Sequence, residues 1–282
     1  MTPGPSALRQ GESTVNKPAV VGLVSSSMEH EAWQDLLTQV AGVADGIALR
    51  YFRSATLQIE HKADGSPATR ADREIEQAAR SIVGNGYPGL GVLGEEYGET
   101  RGAGAARLII DPIDATHNFV RGIPIFATLL AIEEKGEIVA GMVSAPALGT
   151  RWSAVRGRGA YRNGARIHVS RVARLEQAQL FHAGLAAMQA RREAVVALAS
   201  RVGRSRGFGD FYQDVLVAEG AGEIAVDFEI APWDIAPLLV IVEEAGGRAT
   251  SAGGERTIYA GDFVSSNGLL HDAVLAALAA GP

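Results

Sequence analysis

The sequence predicts a layered α/β protein. Three observations carry this expectation. Two amphipathic helical stretches come early, a run of short apolar strands with tight turns follows, and strands alternate with helices after about Ser170. The first helix is expected from Glu29 to Phe52. Trp33, Leu36, Leu37, Val40, Ala44, Ile47, Ala48 and Tyr51 recur there at three- and four-residue steps, and Ser25 to Ser27 offer a cap. A second helix is expected from Ala71 to Val83, with Ile75, Ala78, Ala79 and Ile82 on one face and Gly84-Asn85-Gly86 as its stop.

Leu90 to Leu93 and Arg107 to Ile110 read as strands, each leading into an acidic cluster. Phe126 to Ile132 and Glu137 to Ser144 flank Lys135-Gly136 and read as a hairpin. Arg151 to Val155 and Arg166 to Val169 are further strands, with Asn163-Gly164 as a tight turn. In the second half, Gln179 to Ala183, Glu223 to Phe228 and Phe263 to Ser266 read as strands. Gln189 to Val202, Phe211 to Glu219, Trp233 to Ala245 and Leu269 to Ala279 read as helices. The expected organisation is a disordered extension over residues 1–27, rich in Ser, Pro, Gly and Ala, a first half over 28–170, and an α/β half over 171–282 that completes a shared site. The folded part is expected to start near Met28.

Composition narrows the function. With 282 residues and 47% apolar side chains, the chain can bury a substantial core. A net charge of −6 gives no general electrostatic reason to bind nucleic acid. The absence of cysteine excludes disulfides, thiolate catalysis and Cys-based zinc sites, and fits the expectation of a cytoplasmic protein. No apolar run approaches the ~20 residues that span a bilayer, so no membrane partner is expected.

The chemistry lies in acidic residues at element ends: Gly94-Glu95-Glu96, then Asp111-Pro112-Ile113-Asp114-Ala115-Thr116, then Trp233-Asp234. Hard divalent cations such as Mg²⁺ take oxygen ligands. Asp111 and Asp114, three apart across a tight turn, can converge on one side with the Ile113 carbonyl between them. A short helix starting at Ala115 or Thr116 would turn its first N–H groups toward an anion. Taken singly, each piece has a plainer reading: an Asx-type turn with Asp114 as a helix cap, a solvated glutamate pair, and Asp234 as an N-cap.

In this order, the pieces resemble the inositol-monophosphatase-like, Mg²⁺-dependent phosphatases, as do Lys62-Ala63-Asp64, Thr69-Arg70-Ala71-Asp72 and Glu244-Ala245-Gly246-Gly247. The resemblance runs from about Met28 to the C-terminus and implies an αβαβα sandwich, a homodimer and two to three Mg²⁺ per subunit. It implies that Glu95, Asp111 and the Ile113 carbonyl hold one ion, and that Asp111, Asp114 and Asp234 hold a second. Glu95 would assist a third, with Asp72 further out. A water activated by the metal would be oriented by Glu95 and Thr116 for in-line attack on phosphorus, and backbone N–H groups near Ala115 and Thr116 would grip the phosphate.

Asn118-Phe119-Val120-Arg121-Gly122-Ile123-Pro124 and Gly209-Asp210-Phe211 are similar to the histidinol-phosphatase branch of that family. The implied substrate is a small phosphorylated amine, L-histidinol phosphate, with inositol or sugar monophosphates as the alternative and an impaired metal- or phosphate-binding protein as a third reading. Asp210, Asp227 and Glu229 are candidates to line a pocket for a cationic leaving group. Asp210 reads equally as a helix cap. Two positions depart from the pattern: Ala115 where the family usually has Gly, and His117 where this branch commonly has Lys. If Ala115 needs a positive φ, the methyl group carries a conformational penalty of about 1 kcal/mol. His168 and His182 are expected to pack, Arg151, Arg156 and Arg158 to form a solvated face, and Trp152 to pack, at a subunit contact or within the core.

Overall fold

The computed structural model describes residues 1, 20–55, 57–61, 67–186, 188 and 191–280. Its helices are α1 (Val20–Tyr51), α2 (Arg70–Gly86), α3 (Thr116–Val120), α4 (Arg192–Ala199), α5 (Asp210–Ala218), α6 (Pro232–Glu244) and α7 (His271–Ala279). The strands of the first half are β1 (Ile59–His61), β2 (Pro67–Thr69), β3 (Gly91–Gly94), β4 (Gly98–Thr100), β5 (Ala106–Asp114), β6 (Ala127–Glu134), β7 (Glu137–Ala145), β8 (Thr150–Val155), β9 (Ala160–Arg162) and β10 (Ala165–Ile167). Those of the second half are β11 (Gln179–His182), β12 (Arg204–Arg206), β13 (Ile224–Phe228), β14 (Arg248–Thr250) and β15 (Asp262–Ser266).

Eight strands form one sheet in the order β10-β9-β8-β7-β6-β5-β3-β4, antiparallel except where β3 lies parallel to β5. Five strands form a second sheet in the order β12-β11-β13-β15-β14. α1 and α2 cover one face of the large sheet, while α5 and α6 lie between the two sheets. α4 and α7 pair on the far side of the small sheet. The result is the expected five-layer αβαβα sandwich.

The alternation of strand residues accounts for the layers. On β5, Leu108 and Ile110 enter the core beneath α1 and α2, while Ile109 enters the core beneath α6. On β13, Ile224 and Val226 join Val195, Leu198 and Val274 in a third core. α6 is buried continuously from Ile235 to Val242, because a helix between two sheets has no solvent face. It packs so closely on β7 that a Cβ at Gly141 would stand 2.8 Å from the Pro237 Cα.

Several expectations change. α1 starts at Val20, so Ser25 to Ser27 lie inside the helix rather than capping it. The expected disordered extension falls mainly on residues 2–19, outside the described residues, as does Lys62-Ala63-Asp64. α2 continues through Gly84-Asn85-Gly86 and ends when the Tyr87 N–H bonds to Val83. Asn163 and Gly164, both at positive φ, turn β9 into β10, a pair the sequence reading gave as one later strand. α4 is shorter than the expected 189–202.

The change that matters most concerns β5. It does not stop at Ile110 before a tight turn but runs on to Asp114. Its pairing with β6 shifts between Asp111↔Leu129 and Asp114↔Ala127, three steps on one strand against two on the other. This is a β-bulge, centred where Pro112 has no N–H to give the ladder.

A carboxylate cleft at a bulged strand end

In a regular strand, residues three apart point to opposite faces. The extra residue of the bulge reverses that rule, so Asp111 and Asp114 face the same way. α6 supplies the third member. Asp234 is held as its Oδ2 accepts from the Ala231 N–H at 2.8 Å, which places it in the first turn of the helix rather than at the cap itself. Ligand oxygens of Asp111, Asp114 and Asp234 all lie within 4.8 Å of one another.

These three line a cleft of about 400 Å³ together with Glu95, Ile113, Ala115, Thr116, Asp210 and Asp227. All the residues expected to bind metal or substrate therefore meet in one place. Asp72 does not line it. It sits one layer back in a capping box, where its Oδ2 accepts from the Thr69 N–H at 2.8 Å and from the Thr69 hydroxyl. Its charge still reaches the cleft, raising the proton affinity of Asp111.

Charge is crowded here. Burial, then the charges of Glu95, Asp114 and Asp234, hold Asp111 well above the usual carboxylate range. Burial and Asp210 do the same to Asp114, partly offset by the Phe211 N–H that donates to its Oδ2 at 2.8 Å. Burial lifts Asp234 and Asp72 to about 7 and Asp210 to about 6. It also holds Asp227 well above its ordinary value.

The donor set fits a hard cation. It consists of oxygen only, and Asp111 Oδ1 is buried with no hydrogen-bond partner among the described residues. The Ile113 carbonyl accepts from the Thr116 hydroxyl at 2.8 Å, which leaves that carbonyl one lone pair. Ala115 has φ 64° and ψ 45°, the left-handed conformation that glycine adopts freely.

The sequence reading missed Asp214. It lines the cleft one helical turn after Asp210, accepts from the Ser265 hydroxyl, and is raised to about 7 by burial. Its spacing of four residues from Asp210, one helical turn, was its signal. Ala183 and Gly184 also line the cleft, and no sequence feature marks them. Asp210 occupies the first position of α5 at φ 50°, with Gly209 as the cap and no side-chain cap bond, so the cap reading of Asp210 is set aside. Asp227 is fixed by the Phe228 N–H at 2.8 Å and by Gln213 Nε2 at 3.2 Å. His117 and Glu229 lie on the cleft wall. Trp152 is buried in the central core and donates to Glu219. The basic stretch is not simply a solvated face: Arg151 bonds Asp45 and Ser144, and Arg156 bonds the Ile138 carbonyl.

A five-layer sandwich that gathers oxygen ligands at a bulged strand end and a helix start defines a class, the metal-dependent phosphatases that act on small phosphorylated substrates. Within that class, the chain belongs to the inositol monophosphatase family, whose sequence pattern matches residues 29–281. The chain is 45% identical over 253 residues to the histidinol-phosphatase of Mycobacterium tuberculosis, covering 87% of this chain and 97% of that one. It is 37% identical over 210 residues to the fructose-1,6-bisphosphatase/inositol-1-monophosphatase of Thermotoga maritima, covering 73% and 80%. Among solved structures, the Thermotoga maritima IMPase superposes with a TM-score of 0.80 at 32% identity, over 88% of this chain and 97% of that one.

Proposed function

We propose that the protein is a Mg²⁺-dependent phosphomonoesterase that hydrolyses L-histidinol phosphate to L-histidinol and phosphate. The observation that carries this reading is the composition of the cleft wall. Beyond the Asp111–Asp114–Asp234 trio it continues into Asp210, Asp214, Asp227 and Glu229, with neither Lys nor Arg among its described residues. Such a wall suits a leaving group bearing a cationic amine and a titratable imidazole better than a neutral polyol. The similarity to a histidinol-phosphatase supports the same choice.

Asp111, Asp114, Asp234, Glu95 and the Ile113 carbonyl would hold the ions, two to three in number. Bound Mg²⁺ supplies Lewis acidity toward the phosphate ester and toward water. The chain does the positioning. The Thr116 hydroxyl spends its only proton on the Ile113 carbonyl, so toward an attacking water it can act only as acceptor. Glu95 is the second acceptor. Together they fix the direction of the water's lone pair, and the backbone at Ala115 and Thr116 receives the phosphate. Asp72 keeps the start of α2 in place behind Glu95 through its capping box. No phospho-enzyme is needed. The protein is proposed to act as a cytoplasmic homodimer. No helix among the described residues is long and apolar enough to cross a membrane.

The test is phosphate release from L-histidinol phosphate and from inositol 1-phosphate, each with Mg²⁺ and each repeated with Asp111→Asn. The expected result is a higher kcat/KM on histidinol phosphate, lost in the variant. The reverse order would favour an inositol or sugar monophosphatase, the reading that the Thermotoga relative supports. Metal and phosphate binding without release from either ester would favour a binding protein.

A further inference from the structure

Glu76 does not line the cleft, yet it is wholly buried and lies one helical turn after Asp72 on α2. Its carboxylate accepts from the Glu96 N–H at 2.7 Å and the Tyr97 N–H at 3.2 Å. It also accepts from Arg80 Nε at 2.9 Å and Nη2 at 2.7 Å. Arg80 in turn donates to the Gly98 carbonyl at 2.6 Å and to the Thr100 hydroxyl at 2.8 Å. One ion pair on α2 thus grips the β3–β4 reversal at both ends, taking its N–H groups with the carboxylate and its carbonyl with the guanidinium.

Glu95 is the first residue of that reversal. Its own N–H bonds across the sheet to the Ile110 carbonyl at 3.3 Å, next to Asp111. The backbone carrying Glu95 is therefore held on one side by β5 and on the other by Glu76. Gly94 is part of the device, since a Cβ there would collide with the Glu76 carboxylate. The glycine lets the carboxylate lie directly against the strand end.

We propose that Glu76 and Arg80 form a positioning pair that sets the place of Glu95 in the cleft, and that the pair thereby determines how tightly the site holds a divalent cation. This rests on the reading of Glu95 as a metal ligand. A buried carboxylate bonded to two N–H groups and a guanidinium fixes a turn more firmly than backbone bonds alone, because each contact is charge-assisted. In Glu76→Gln the new amide N–H₂ would face existing donors, leaving at least one of them unsatisfied.

The test measures Mn²⁺ binding by electron paramagnetic resonance titration, with the Mg²⁺ concentration for half-maximal phosphate release as a second readout. Four proteins are compared: wild type, Glu95→Gln, Glu76→Gln and Glu133→Gln. Glu133 is a buried carboxylate paired with Arg107 away from the cleft, and so controls for loss of stability alone. The expected result is that Glu95→Gln and Glu76→Gln each weaken Mn²⁺ binding at one site by about 10- to 100-fold. Glu76→Gln should also raise the half-activating Mg²⁺ concentration while leaving KM for the ester near wild type, and Glu133→Gln should change neither. If Glu95→Gln binds Mn²⁺ normally, the ligand reading of Glu95 fails and the positioning role falls with it. If Glu95→Gln is weakened but Glu76→Gln is not, or if Glu76→Gln and Glu133→Gln are weakened alike, the positioning proposal alone is overturned. Should Glu76→Gln not fold, Arg80→Gln leaves the carboxylate and its two N–H bonds in place. It is expected to move Mn²⁺ affinity in the same direction, and wild-type affinity in it would overturn the proposal.

Discussion

Buried carboxylates occur in two settings in this protein. Away from the cleft, three are matched by an arginine within the chain: Glu76 on α2 with Arg80, Glu133 on β6 with Arg107, and the half-buried Asp45 on α1 with Arg151. In the cleft, eight carboxylates line one wall, and no Lys or Arg does so among the described residues. The first set is neutralised where it stands. In the second, burial and neighbouring like charges favour neutralisation by protons or cations, because crowded buried carboxylates cannot all stay ionised. A salt-bridge inventory would rank the first region as the electrostatic one. The chemistry belongs to the region whose wall carries no Lys or Arg among its described residues.

The same substitution should therefore act oppositely in the two regions. Asp111→Asn removes a charge that the fold does not satisfy, so the metal-free variant should be at least as stable as wild type by urea denaturation. Its turnover should fall by about 10³-fold or more, the loss of several kcal/mol of transition-state stabilisation. Glu133→Gln removes a satisfied charge. It should lower stability by about 1–3 kcal/mol with turnover near wild type. If both variants lost stability equally, the division would not exist.

A second contrast lies in pH. Asp72 and Asp234 titrate at about 7 in the fold, against about 3.9 when unfolded. Between those values the folded chain holds more protons than the unfolded one, so the stability of the metal-free protein falls as pH rises. Mg²⁺ takes over from the protons, so its effect on Tm should be larger at about pH 8 than at about pH 5. His271 acts in the other direction. Burial between Thr250 and Ser266 lowers it to about 4, so its imidazole is neutral in the fold. As pH drops below about 6.5 the unfolded chain takes up that proton first, and stability is lost. In the metal-free protein the carboxylates outnumber His271, so differential scanning calorimetry should show stability falling toward alkaline pH, a slope that Mg²⁺ reduces; in the Mg²⁺-loaded protein it should show a loss at acid pH that is smaller in His271→Gln. An alkaline slope that Mg²⁺ leaves unchanged would mean that the cleft acids do not face the cation.

The same division explains what could be read from the sequence. α1 and α2 were legible because their buried residues repeat with the helix, and β5 because Leu108, Ile109 and Ile110 form an apolar run. The acidic clusters were legible because each follows such an element. The bulge at Pro112 was not, since it exists only as a mismatch with β6, a partner that no local pattern specifies. Glu76 was invisible for a similar reason: its carboxylate meets N–H groups 20 residues away, and sequence alone cannot separate it from a surface glutamate. β4 was missed because its three residues are all exposed, leaving no alternation to detect. Pattern reports burial, whereas the fine placement of ligands depends on register.

The smallest expected effect concerns Ala115, where backbone and charge can be separated. Its left-handed φ of 64° strains an alanine by about 1–2 kcal/mol relative to glycine. Against that, its methyl is buried in the core beneath α1 and α2, worth about 0.8 kcal/mol. Glycine would also loosen the unfolded chain by about 0.4–1 kcal/mol. The opposing effects nearly cancel, so Ala115→Gly should change unfolding free energy by less than about 1 kcal/mol and turnover by less than about tenfold. A gain well beyond that would mean that backbone strain at the bulge, rather than uncompensated charge, limits the stability of the cleft. A comparable loss would mean that the methyl holds the bulge in register and that Asp111 and Asp114 owe their meeting to it.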